Sequence, residues 1–105
     1  MSLEDRIAVV ASAGRARLAS GDDLDGVIAF FQAEGLSIIL TIRAAVLAFG
    51  LSLRDARDLV ETGPAFNDGY EIHAEYHREL VTRLRRIIDI TPAKNATTTV
   101  AQEPT

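Results

Sequence analysis

A chain of 105 residues, with 11 basic and 15 acidic side chains and a formal charge of −4, has room for one small domain and no second core. Its 48% hydrophobic content and mean hydropathy of +0.11 exclude global disorder, while the negative mean field argues against a general nucleic-acid or acidic-membrane binder. The absence of cysteine removes disulfides, thiolate metal sites and cysteine nucleophiles.

Ser2, with Glu4 and Asp5 behind it, reads as a helix N-cap, and Leu3, Ile7, Val10, Gly14 and Leu18 recur at helical spacing, so a first helix is predicted over Leu3–Ala19. The same acids ahead of Arg6 are the reverse of a signal peptide's positive start, and the expectation is a cytoplasmic protein. Gly14 lies on the apolar stripe, where a missing side chain lets another helix come close. Ser20-Gly21-Asp22-Asp23 supplies a C-cap glycine and then an acidic N-cap for a second helix, which starts at Leu24, buries Leu24, Val27, Ile28, Phe30 and Phe31, and stops at Gly35.

Ser37 caps a third helix, Ile38–Phe49, so densely apolar that a central, largely buried position is predicted for it. The apolar run that includes it is interrupted by Ser37, Thr41 and Arg43 and is too short and polar to span a bilayer. Gly50 ends the third helix and Ser52 caps a fourth, with Leu53, Ala56, Leu59 and Val60 inward and Arg54, Asp55, Arg57, Asp58 and Glu61 outward, until Thr62-Gly63-Pro64 breaks it. A fifth helix, the longest, is predicted from Tyr70 to Ile90, with His73, Tyr76, His77, Leu80, Leu84, Ile87 and Ile88 along one side. Its glutamates come early and its arginines late, the order that complements the helix macrodipole. From Thr91 onward, Pro92, three successive threonines and few apolar groups predict a disordered tail, leaving residues 1–90 as a single helical domain.

The middle of the chain resembles a known family. Ile39, Ile42 and Arg43, the turn Gly50-Leu51-Ser52-Leu53, the segment Asp55-Ala56-Arg57-Asp58-Leu59-Val60-Glu61 and Pro64 are similar to the helix-loop-helix of the C-terminal domain of the bacterial ribosomal stalk protein. The resemblance implies a surface that recruits translational GTPases, and Arg43 and Arg57 stand at basic positions of that surface. Val46 replaces a family arginine and Ile38 a frequent lysine, so part of the basic surface is missing. The family's domain is α/β, which would make Val27 to Phe31 an opening strand and Ile87 to Ile90 a closing one. Capping by aspartates before Leu24 and the lack of a glycine turn before Ile87 favour an all-α bundle of about five helices around a central αα-corner, with the α/β fold as the alternative.

Few residues point to chemistry. His73 and His77, four apart, could offer two imidazoles to one metal, but Glu75 between them faces another side of the helix and no further ligand cluster accompanies them, so no metal site is predicted and the pair are weak candidates only. Asp22, Asp23 and Asp25 lack the spacing and terminal glutamate of a calcium loop and are explained by capping. Without a phosphate-cradling glycine loop or a nucleophile elbow, neither a catalytic residue nor a cofactor is predicted. The expectation is a non-enzymatic protein-interaction module that uses Arg43, Arg54, Arg57 and Asp58 at the corner of the third and fourth helices. It has a protein partner of unidentified kind, no nucleic-acid or membrane partner, and a tendency to form a homodimer. The alternative is a small acidic inhibitor, of the immunity type, that neutralises a basic enzyme.

Overall fold

The computed structural model describes residues 2–67 and 69–88. Its five helices are α1 (Leu3–Ala19), α2 (Leu24–Ala33), α3 (Ile38–Phe49), α4 (Leu53–Thr62) and α5 (Tyr70–Ile87). The first four begin where a side chain satisfies an orphan backbone N–H. Ser2 Oγ accepts from the Asp5 N–H at 3.1 Å, Asp23 Oδ1 from Gly26 at 2.7 Å, Ser37 Oγ from Leu40 at 3.3 Å and Ser52 Oγ from Asp55 at 3.1 Å. Each such cap contributes about 1 kcal/mol, enough to fix where a short helix starts. α5 follows Gly69 at its N-cap, with no side-chain capping bond.

α3 packs against α1, α2 and α4, and α5 packs chiefly on α4. At the centre, the fully buried Phe31 ring lies 6.4 Å from the Phe49 ring, and Gly14 of α1 faces it directly. A Cβ built on Gly14 would stand 2.4 Å from Phe31 Cε1 and 3.0 Å from Val27 Cγ1, so the missing side chain is what lets α1 and α2 approach as closely as they do. Long-range polar ties brace the edges of the bundle: the Arg15 guanidinium donates to the Ala48 carbonyl at 2.9 Å, and the Gln32 amide to the Ala65 carbonyl at 2.8 Å. Arg6 likewise donates to the Glu34 carbonyl.

The bundle is all-α, and the α/β alternative fails on its own segments. Residues 27–31 lie inside α2, residue 87 closes α5, and no strand forms among the described residues. α5 is shorter than predicted, because Ile88 already has extended backbone (φ −80°, ψ 126°) while its side chain stays buried. Asp89, Ile90 and the expected tail from Thr91 lie outside the described residues. α3 is central but not enclosed. It buries Thr41, Ile42, Ala44, Ala45, Ala48 and Phe49, while Ile39 and Leu47 are exposed. No helix among the described residues is long and apolar enough to cross a membrane.

Candidate interaction surface

The α3–α4 corner is built by local chemistry. Gly50 adopts a left-handed conformation (φ 68°, ψ 28°) that closes α3 with an N–H bond to the Val46 carbonyl at 3.0 Å. Its lack of a Cβ makes that conformation cheap. Leu51 then turns under the corner and is buried, and Ser52 opens α4. The turn leaves Leu47 at 61% exposure and Leu53 at 64%, and together with Arg43 and Val46 they line a shallow pocket of about 220 Å³.

Arg43 stands at this pocket, with its Nη2 3.6 Å from Glu4 Oε2 in a pair open to solvent on both sides. Such an exposed pair is worth at most about 1 kcal/mol and gives way readily to a competing carboxylate. Arg57 follows Leu53 by one helical turn, and Arg54 is its neighbour in sequence; both are exposed. Their acidic neighbours face elsewhere. Asp55 Oδ1 lies 3.6 Å from Arg83 Nη2 of α5, and the half-buried Asp58 accepts from the Tyr76 hydroxyl at 3.3 Å. The arginines and aspartates that sequence places on one mixed face are therefore divided by the fold: Arg54 and Arg57 remain in solvent, while Asp55 and Asp58 line the seam with α5.

The two histidines are not a pair. His73 is exposed, whereas His77 is 1% exposed and has both ring nitrogens engaged. Nδ1 lies 2.8 Å from Thr62 Oγ1, and Nε2 lies 2.7 Å from Asp25 Oδ1. The Thr62 hydroxyl also reaches the Asp58 carbonyl at 2.6 Å. With both nitrogens occupied, His77 cannot join His73 on a metal, and among the described residues no group of three or more His, Cys, Asp or Glu side chains could hold one. This buried knot joins α2, α4 and α5, and Gly63 makes room for it: a Cβ there would meet His77 Cε1 at 3.0 Å. Sequence reasoning misses the knot because it assigns Asp25 to capping and His77 to a packing seam, with nothing local to link residues 52 positions apart.

Of the aromatic residues near α4, Tyr76 is half exposed with its hydroxyl on Asp58, and Phe66 is half-buried against the core. No known protein family, curated protein or solved structure matches the chain.

Proposed function

We propose that this protein is a non-enzymatic interaction module that takes a protein partner at the α3–α4 corner. The observation that carries the reading is the pocket lined by Arg43, Val46, Leu47 and Leu53, in which Leu47 and Leu53 stay in water beside the Arg43 guanidinium. Exposed apolar groups with arginine at the rim are the composition of a protein-binding patch, because arginine combines planar, multidentate bonding with weak hydration. Arg54 and Arg57 widen the patch, while Asp58, turned toward Tyr76, acts by holding α4 on α5. The similarity of residues 39–64 to the ribosomal stalk helix-loop-helix supports a partner connected with translation.

The net charge of −4 favours a second reading, an acidic inhibitor that steers onto a basic enzyme. Affinity capture from native lysate separates the two, comparing wild type with Arg43→Glu/Arg57→Glu and with reversal of Asp22, Asp23 and Asp25, each checked for mass by light scattering. Loss of the partner in the arginine variant alone supports the corner. Retention there, with loss on reversal of the aspartates, transfers the reading to the inhibitor.

A further inference from the structure

α5 carries a second exposed surface, made of residues that do not line the corner pocket, whose Tyr76 and Arg83 also reach Asp58 and Asp55 of α4 along one edge. Ile72 at 84% exposure and Ile87 at 61% stand near its two ends, with Tyr76 and Arg83 one turn inside them. At 3.6 residues per turn these four fall within about 60° of one another, forming a stripe about 22 Å long beside the seam with α4. Isoleucine in water at both ends of one helix is not accounted for by the core, which α5 reaches with His77, Leu80 and Leu84.

The stripe is arranged symmetrically along the helix. Its midpoint falls between Glu79 and Leu80, with Ile72 and Ile87 equidistant from it, and Tyr76 and Arg83 likewise. The charges at its flank carry opposite signs at the two ends, on one side of the stripe: Glu75 lies toward the N-terminal end, and Arg86 lies toward the C-terminal end about two residues further from the midpoint. We infer that the α5 stripe is an isologous interface on which a second copy of this chain packs its own α5 antiparallel. A two-fold axis through the midpoint places Ile72 against Ile87 of the partner subunit, and Tyr76 beneath Arg83 of the partner subunit. The same axis brings Arg86 of the partner subunit about 3 Å further along the helix than Glu75, within reach of its long side chain, and each of these three contacts occurs twice. Glu79, nearest the axis, meets its own counterpart, and Arg83 from both copies, one turn away, offsets that repulsion. A parallel arrangement sets Glu75 on Glu75 and Arg86 on Arg86 and lacks this complementarity, so the charge order selects the antiparallel pair. The same order that complements the helix dipole thus makes α5 complementary to itself.

Sedimentation equilibrium on the full chain tests the interface. The expected result is a reversible equilibrium between the 11.4 kDa chain and twice that mass, with a midpoint of roughly 10 to 100 µM for so small a contact. Ile72→Glu and Ile87→Glu change exposed positions, so each is expected to keep the helical circular dichroism and melting temperature of wild type while the dimer is lost. Glu75→Arg and Arg86→Glu are each expected to weaken the dimer about tenfold or more, since each places two like-charged pairs across the axis, and the double exchange restores it. A chain that stays monomeric up to about 1 mM overturns the inference, as does a dimer that survives both isoleucine variants. A double exchange no tighter than either single one overturns the antiparallel register.

Discussion

Replacing Gly14 with alanine tests the packing argument at its tightest point. On helix propensity alone the change should stabilise the protein by about 1 kcal/mol, because glycine is the poorer residue inside α1. The structure reverses the sign. The new methyl would lie 2.4 and 2.6 Å from two atoms of the Phe31 ring, and that ring is fully buried, with the Phe49 ring 6.4 Å away. A buried aromatic ring has no flexible end to swing away, so α1 and α2 must separate, and overpacking of this kind costs about 1–3 kcal/mol. With the cost at the upper end and the propensity gain subtracted, Gly14→Ala should lose about 2 kcal/mol, which lowers the melting temperature of a domain this size by roughly 10 °C. Urea unfolding followed by circular dichroism, in wild type and in a Phe31→Leu background, measures both the loss and its cause. Removing the ring atoms should recover at least about 1 kcal/mol of the alanine penalty. A Gly14→Ala protein as stable as wild type, or an equal penalty in both backgrounds, refutes the reasoning.

Thr41 is fully buried, and among the described residues its hydroxyl has no hydrogen-bond partner. Thr41→Val should therefore raise stability by about 1 kcal/mol in the same urea assay, and a loss instead would mean that the hydroxyl is satisfied. His77→Leu keeps side-chain volume but strips Asp25 and Thr62 of a partner, and it should cost about 2 kcal/mol; an unchanged midpoint would dismiss the buried knot as a stabilising element. Gly50→Ala should cost about 1 kcal/mol through its left-handed backbone alone, since a Cβ there meets nothing within 4 Å, and Gly50→Asn should cost less. Equal melting temperatures for the alanine and asparagine variants would rule out backbone strain as the cause.

The helices were legible in the sequence because their signals are local. Ser2, Asp23, Ser37 and Ser52 each lie within three residues of the N–H group they cap, and Gly50 closes α3 by its own conformation. Gly14 was legible too, since a gap in an apolar stripe predicts contact even though the stripe does not say with what. Which faces are covered was less legible. α3 is apolar almost all round, so its periodicity offers no contrast by which to see that Ile39 and Leu47 face water. Charged side chains were harder still. Asp55 and Asp58 sit among arginines in sequence, but the antiparallel return of α5 offers them Arg83 and Tyr76, and only the three-dimensional path reveals that exchange.

The knot at His77 has a consequence for how the chain assembles. α1 to α4 form most of the core from short-range turns and the α1–α3 contact, so four helices can gather before the last one is in place. Apolar burial alone would let α5 slide along α4 by one turn, since leucines recur at that interval. An imidazole that must meet Thr62 on one side and Asp25 on the other admits a single seating. The docking of α5 is thus checked by a polar gauge that ties it to both α2 and α4, and a misplaced helix would be left with an unpaired buried imidazole.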